Sequence, residues 1–375
     1  MSLIAPDQHT LVFAGVAVPA WIGFAAEQTR WGRMLTGVVW TGGLAILLSN
    51  LNVIPKDAAA YDFVKRYLVP LAIPLFLMRV NLGRIFQETG KTLVAFVVGA
   101  VTTVIGVVLA GRLLELGILE SELSGIFAAT YIGGTLNFAA SSEALAFPDS
   151  VLLSASLAAD SLVGKSYLLI LAALPAIPFI ARFFGDDADA QGQGDAQTDD
   201  IVPERPSLFS LATALTVSAV IVAVGYWLAD ILNMSSYGIL FISALALAPG
   251  LLAPGIARRA DGAHALGMVC AYLFFAAVGA GANVSTLFDV AASVMIFAIL
   301  IVVVHAALLF PIARMMGLSL AETITASNAC ILGPTTAAAL AAARGWNDLV
   351  TPGLLAGLFG YAIGTFIGVS LAGLV

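Results

Sequence analysis

The sequence has 375 residues, of which 60% are hydrophobic and only 10% are charged. This composition excludes an ordinary soluble protein, and the apolar runs of about twenty residues that recur along the chain predict a polytopic α-helical membrane protein. The formal net charge of −7 lies almost entirely in residues 185–206, so it describes one solvated segment and not the membrane part.

In chain order, the apolar segments form two sets of six. We expect a first transmembrane half over 1–184, an acidic flexible linker over 185–206, and a second transmembrane half over 207–375.

The chain begins without a basic region, so no cleavable signal peptide is expected, and we predict a multi-pass protein of the bacterial inner (plasma) membrane. The predicted segments are roughly 8–27, 33–51, 61–80, 91–116, 121–145, 151–181, 207–231, 236–257, 264–284, 289–315, 320–343 and 349–373.

The motifs of other functional classes are missing from the sequence. It has no CxxC, HExxH, P-loop or GxSxG motif, so we expect no resident metal, no cofactor and no enzymatic activity. Basic residues are few and scattered, which argues against nucleic-acid binding. Cys270 and Cys330 lie in apolar segments and are expected to be inert.

An internal repeat relates the two halves. The stretch "YIGGTLNFAASSEAL" at 131 aligns with "CILGPTTAAALAAAR" at 330, and "LVGKSYLLI" at 162 aligns with "AIGTFIGVS" at 362. Upstream, "MRVNLGRIF" at 78 aligns with "AGANVSTLF" at 280, which places Asn81 on Asn283. The common order of these matches indicates a duplication, as in secondary transporters.

Both copies of the repeat carry a helix-breaking pair at the same place. The first has Gly133 and Gly134, and the second has Gly333 and Pro334. Irregular backbone at membrane depth is tolerated only where it is buried in protein or lines a wet cavity, and matched breaks point to a transporter's binding site. We therefore expect residues 133–137 and 333–336 to be non-helical and to cross near the midplane. Tight packing through small residues is the alternative.

The basic residues give conflicting orientations. Arg30 and Arg33 follow the first predicted segment, and Arg84 and Lys91 follow the third. Arg258 and Arg259 follow the eighth segment, and Arg314 follows the tenth. The positive-inside rule places the early ones in the cytoplasm, but twelve simple crossings would place the later ones outside. The charge bias therefore predicts an inverted second half and a helix count between eleven and thirteen.

Asp160 is the main ionisable candidate, because a carboxylate deep in an apolar segment should face a cavity or a partner. It is either a coupling site for a proton or cation, with Ser161 beside it, or half of a structural ion pair. Lys165 is five positions on and does not share a helix face with Asp160. Lys165 itself could pair with another helix or bind an anionic substrate, and Glu143 is a further secondary candidate.

Neutral oxygens complete the predicted site. These side chains could coordinate Na⁺ or bind polar groups of a substrate. Alternatively, they could form hydrogen bonds between helices. The primary candidates are Thr135, Asn137, Asn328, Thr335 and Thr336, and the secondary ones are Asn81 and Asn283. We interpret His305 as a satisfied core histidine.

With these motifs in place, the chain resembles the domain-of-unknown-function 819 family. The resemblance rests on "ATYIGGTLNFAA" at 129–140, "ADSLVGKSYLL" at 159–169 and "NACILGPTTAAALAAARGW" at 328–346, and it covers nearly the whole chain except the linker. That family is grouped with the cation:proton antiporter and anion transporter superfamily, which includes bile-acid-type sodium symporters. The sequence lacks the adjacent aspartate pair of the exchangers, which argues against simple sodium/proton exchange.

The resemblance implies an all-α fold with inverted repeats and two crossed broken helices. It implies a core domain, from about 91–181 and 289–373, that moves like an elevator against a scaffold of the remaining helices. The carried-over site is Gly133 to Asn137, Gly333 to Thr336 and Asp160. A homodimer built on scaffold helices is implied by analogy.

We therefore expect a secondary active transporter of a small solute, with an organic anion among the candidates, coupled to Na⁺ or H⁺. The alternative within transport is a monovalent cation/proton antiporter. A membrane-embedded enzyme or a receptor is the alternative from another class, but we find neither a catalytic constellation nor a soluble signalling domain. The expected partners are the solute or ion and membrane lipid.

Overall fold

The structure, a computed structural model, describes residues 2–29, 36–114, 116–185 and 206–374. The interior of the predicted linker 185–206 lies outside these residues, as do Arg30 and Arg33. The described part of the chain is all α-helical, as predicted, and its helices follow the predicted segments closely.

The helices in chain order are α1 His9–Glu27, α2 Gly37–Asn50, α3 Ala59–Phe63, α4 Val69–Leu77, α5 Leu82–Glu88, α6 Gly90–Leu113, α7 Glu120–Gly133, α8 Thr135–Ala144, α9 Ser150–Ala173, α10 Pro178–Phe184, α11 Leu208–Ile231, α12 Gly238–Ala246, α13 Ala248–Leu252, α14 Pro254–Arg259, α15 Ala263–Gly281, α16 Val284–Met315, α17 Leu320–Ile331, α18 Pro334–Ala343 and α19 Asn347–Ala372. A π-helical turn, Val64–Leu68, joins α3 to α4.

Two groups of helices can be distinguished by their packing. The largest cluster of buried apolar side chains draws on α6, α7, α9, α10 and α16–α19. We call α6–α9 together with α16–α19 the inner group. The other clusters join α1–α4, α11, α12 and α15, the flanking group, to the face of the inner group. The aligned asparagines of the repeat begin corresponding helices, because Asn81 caps α5 and Asn283 caps α16 through their side-chain oxygens.

The segment α7–α8 is a re-entrant hairpin. A Cβ built on Gly125, early in α7, would lie 3.0 Å from Cδ1 of Leu145, the residue directly after α8. Ser121 and Ala146, at the outer ends of the two helices, line the same opening. In a straight helix, residues twenty apart would be separated by about 30 Å. The chain therefore enters and leaves the protein interior at one face.

The segment α17–α18 forms a second hairpin. Asn328 Nδ2 lies 3.4 Å from the carbonyl oxygen of Thr336, across the break. A Cβ built on Gly353 of α19 would meet both Thr325 of α17, at 2.6 Å, and Ala337 of α18, at 3.5 Å. The two helices of this segment thus lie side by side, as in the first hairpin.

Helix α19 passes both hairpins and shows that they enter from opposite faces. Near its start, Gly353 packs between α17 and α18. At its end, Ser121 Oγ of α7 donates a hydrogen bond of 2.5 Å to the carbonyl oxygen of Ala372. The first hairpin therefore lies along the last half of α19, and the second along the first half.

Contacts between chain ends define the two faces. Leu3 N donates to Asn52 O at 2.6 Å, and Asn50 Nδ2 donates to Ala282 O at 2.8 Å. The start of the chain, the end of α2 and the end of α15 therefore lie at one face, which we call the N-terminal face. On the other side, Arg79 forms an ion pair of 2.7 Å with Asp261. We call this the linker face, because α9 ends and α11 begins there.

Ten segments then cross between the faces, five in each half. Among the described residues, eight helices are long and apolar enough to span a membrane, a bent segment (Ala59–Leu77 with Leu82–Glu88) adds a ninth, and α2 is a shorter apolar helix. The two hairpins are not among these ten. Since each half crosses an odd number of times, the second half is inverted relative to the first.

The hairpins correct the expected path of the broken helices and remove the conflict in orientation. The breaks occur where predicted, but each broken segment turns back instead of crossing the membrane. The predicted count of eleven to thirteen crossings is therefore wrong, because neither broken segment is a crossing. Tracing ten crossings places Arg84, Lys91, Arg258, Arg259 and Arg314 at the linker face together. The positive-inside rule then makes the linker face cytoplasmic.

Cysteine labelling tests this topology. In a variant without Cys270 and Cys330, we expect an impermeant maleimide added to intact cells to label Ser236→Cys at the N-terminal face. Lys91→Cys and Gly255→Cys should react only after permeabilisation. Labelling of Gly255→Cys but not Lys91→Cys on intact cells would contradict the hairpins and support twelve crossings.

Candidate functional site

The tips of the two hairpins are formed by glycines in matching conformations. Gly134 has φ 73° and ψ −179°, and Gly333 has φ 95° and ψ −176°. Residues with a Cβ rarely adopt this region, so glycine is needed at both turns. The breaks are shorter than expected: Gly134 alone separates α7 from α8, and Leu332 and Gly333 separate α17 from α18. The prediction that 133–137 and 333–336 are non-helical is therefore wrong in extent, because α8 and α18 begin immediately after the turns.

The two tips touch each other and share one aromatic neighbour. A Cβ built on Gly134 would lie 3.6 Å from the Cα of Gly333 and 3.7 Å from the carbonyl oxygen of Leu332. The ring of Tyr361, on α19, would lie 3.5 Å from the Cβ position of Gly134 and 3.6 Å from that of Gly333. Tyr361 thus packs against both tips at once.

Glycines on α19 allow the hairpins to approach this closely. A Cβ on Gly360 would clash with the carbonyl oxygen of Ile132, and one on Gly364 would lie 2.8 Å from that of Ala129. On the side of the second hairpin, a Cβ on Gly357 would clash with the backbone of Pro334. These contacts fix α7 and α18 directly on the backbone of α19.

The neutral oxygens predicted for the site lie beside the tips. Asn137 is buried, and its Nδ2 donates to Gly360 O at 3.2 Å. Thr336 Oγ1 donates to Gly333 O at 3.0 Å, which satisfies a carbonyl at the second tip. Asn328 is fully buried, and its Oδ1 has no hydrogen-bond partner among the described residues. Thr135 and Thr335 occupy the first turns of α8 and α18.

Asp160 lies next to this assembly. It is 6% exposed, and no hydrogen bond or ion pair to it occurs among the described residues. Its carboxylate interacts electrostatically with the hydroxyl of Tyr131, which lies one turn before the first tip and is also buried without a hydrogen-bond partner in the described part of the chain. Gly164 lies one helical turn after Asp160 and faces Leu332 of the second tip. A Cβ built on Gly164 would lie 3.1 Å from Cδ2 of Leu332.

The described residues show no ion pair between Asp160 and Lys165, and the ammonium of Lys165 lies within electrostatic range of Glu27 of α1. Ser161 Oγ lies 3.5 Å from Oγ1 of Thr36, before α2. Lys165 and Ser161 are therefore at the contact between the inner and flanking groups, and not at the tips.

Glu143 and His305 lie away from the tips. Glu143 lines two openings at the N-terminal face. His305 is fully buried and hydrogen-bonded through both ring nitrogens, at 2.9 Å to Thr103 Oγ1 and 2.9 Å to Ser327 Oγ. It is the satisfied core histidine that the sequence predicted.

A cavity lies between the tips and the flanking group. In the described conformation the two helix groups lie so close together that the cavity admits little more than one water molecule. Asn137, Tyr361 and Thr365 line it from the inner group, and Ser243 of α12 lines it from the flanking group together with apolar side chains of α4. At the N-terminal face, two larger openings of about 1090 and 890 Å³ separate the same two groups.

The sequence did not indicate Tyr361, Thr365, Ser243 or Tyr131 as site residues. Polar residues of this kind are common in the helices of membrane bundles, where most of them form hydrogen bonds between helices. The one available signal was the spacing of Tyr361 and Thr365, which are four residues apart and so share a helix face.

Comparison with known proteins now assigns the family. The sequence model of the family described as "Protein of unknown function (DUF819)" matches residues 10–375. This chain belongs to the DUF819 family. It is also similar to "Uncharacterized membrane protein YjcL" of Bacillus subtilis (strain 168), with 30% identity over 384 aligned residues, 98% of this chain and 97% of that protein. Together with the apolar helices, this makes the DUF819 chain a multi-pass membrane protein, and a bacterial plasma membrane fits this assignment.

The close packing at the tips can be tested by adding one methyl group. Gly360→Ala should destabilise the protein by about 1–3 kcal/mol, because the methyl overlaps the backbone of α7 and the helices must separate. Gly43→Ala is the matched control, since its Cβ would have no neighbour within 4 Å. Thermal unfolding in detergent should show a lower melting temperature for the first variant only, and equal melting temperatures would contradict the packing.

Proposed function

We propose that this DUF819 protein is a secondary active transporter of a small solute, coupled to Na⁺ or H⁺. The observation that carries the proposal is the meeting of two hairpin tips, one from each face, beside a cavity between two helix groups. Broken segments in corresponding positions of inverted halves mark the binding site in many transporters.

The hairpins suit alternating access because each exposes the site to a different face. A solute at the tips reaches the N-terminal face past α7–α8, and it reaches the linker face past α17–α18. In this proposal the inner group is the moving core and the flanking group is the fixed scaffold, with elevator-type motion between them. The two larger openings lie at the N-terminal face, so the described conformation corresponds to access from that face.

Asp160 supplies the coupling in this proposal. A carboxylate buried without a counter-ion is unfavourable in its charged form unless a cation or proton neutralises it. Neutralisation by either ion would change the charge next to both tips, through Tyr131 on one side and the packing of Gly164 against Leu332 on the other. The ion gradient could then bias which tip moves.

A monovalent cation/proton antiporter is the second candidate, favoured by the isolation of Asp160 among the described residues. In that case the ion at Asp160 is itself the transported species, and no organic solute is needed. Proteoliposomes loaded with a pH-sensitive dye separate the two: an antiporter dissipates a proton gradient on addition of Na⁺ or K⁺ alone.

Asp160→Asn tests the coupling. The substitution keeps the shape of the side chain and removes a charge that has no partner among the described residues, so we expect an unchanged or higher melting temperature in detergent. Uptake of labelled metabolites into proteoliposomes should lose its dependence on Na⁺ or pH, whereas Asp230→Asn at the surface should keep it.

A folded Asp160→Asn protein with unchanged ion dependence would defeat the coupling role of this residue. A protein that unfolds early would instead indicate a structural ion pair, since breaking a buried pair costs about 3–5 kcal/mol.

A further inference from the structure

The described residues that line the cavity beside the tips include none with a charge at neutral pH. Nine of the thirteen are apolar, and the other four are a carboxamide, two aliphatic hydroxyls and a phenol: Val69, Ala72, Ile73, Phe76, Leu77, Leu136, Ala139, Ala140 and Ala271, with Asn137, Ser243, Thr365 and Tyr361. The charged side chains of this region lie farther out, where Lys65, Arg66 and Glu143 line an opening at the N-terminal face.

The polar groups of the cavity are arranged for hydrogen bonding. Tyr361 and Thr365 are one turn apart on α19, and the described residues give no partner to either hydroxyl. Asn137 uses Nδ2 to bond Gly360 O, and Ser243 Oγ donates to Ile239 O within its own helix. Hydroxyl groups both donate and accept, so this side of the cavity can bind alcohols, amides or carbonyls.

The hairpin geometry also reduces the helix-dipole field at the tip. The N-terminus of α8 carries a partial positive charge, which alone would attract an anion. In a hairpin, however, the C-terminal carbonyls of α7 lie directly beside it, and Gly134 N–H is already bonded to Thr130 O at 2.5 Å. The two helix ends partly offset each other, so the positive field at this tip is weaker than at an isolated helix N-terminus.

We infer that the solute of this cavity is a small uncharged molecule with an apolar body and one or two hydroxyl, amide or carbonyl groups. The inference rests on the proposed transport function. The cavity is too narrow for such a solute in the described conformation, so the solute binds when the inner group has moved away from the flanking group. Its apolar body then packs against α4, at Ala72, Ile73 and Phe76, and its polar groups bond Tyr361 and Thr365. A charged solute would lose its hydration without finding a counter-charge in the cavity. The ion at Asp160 and the solute therefore occupy separate sites, since Asp160 does not line this cavity.

Charge-selective thiol labelling tests this inference without knowledge of the solute. In the background without Cys270 and Cys330, Thr365→Cys and Ala72→Cys report on the cavity from its two walls. Ser236→Cys is the matched control at the wide opening. Each is treated with the 2-hydroxyethyl, 2-sulfonatoethyl and 2-trimethylammonioethyl methanethiosulfonates, which share one reactive group and differ in charge.

For each cysteine we take the ratio of the reaction rate of the hydroxyethyl reagent to that of each charged reagent. We expect this ratio to be about tenfold or more higher at both cavity positions than at Ser236→Cys. Equal ratios at all positions, or faster reaction of the sulfonate in the cavity, would overturn the inference. So would a folded protein in which neither cavity cysteine reacts with any reagent. The labelling reads the cavity alone, whereas the Asp160→Asn experiment reads transport, so the two proposals can fail separately.

Discussion

Backbone N–H and C=O groups within a membrane find no water, so each one must be satisfied by the protein. This constraint governs the two breaks of the chain, where helices end in the interior. Gly134 and Gly333 make turns that other residues resist, and each tip covers the other. The glycines of α19 bring its backbone against both hairpins, and Thr336 satisfies a carbonyl at the second tip. Around this contact, α6, α7, α9 and α16–α19 share one apolar cluster.

The same contact links the fold to the proposed activity. Two hairpins from opposite faces meet at their tips, while five crossings in each half form the inverted frame around them. Asp160, buried without a partner among the described residues, places one ionisable group beside the tips. The described residues that line the cavity beside the tips carry no charge. In the proposed mechanism, an ion and a neutral solute bind at separate places on one moving element, and each changes the free energy of binding of the other.

Much of this could be predicted from sequence, because it depends on local patterns. Apolar length gave the all-α membrane fold, and the matched pairs at Gly133 and Gly333 marked both breaks. The direction of the chain after each break could not be predicted, since a glycine turn looks the same in a crossing helix and in a hairpin. Contacts between the two helices, such as that of Gly125 with Leu145, distinguish the hairpin from the crossing helix. Tyr361 was missed for a related reason: its role depends on two distant tips that meet at one ring.

The most direct test of the account is a distance between the outer ends of α7 and α8. Spin labels on Ser121→Cys and Ala146→Cys, in the background without native cysteines, can be measured by electron double resonance. The hairpin predicts a distance near the short limit of the method, because both residues line one opening. A continuous crossing helix would separate them by about 38 Å. A distribution centred near that longer value would contradict the hairpin, and with it the meeting of tips from opposite faces.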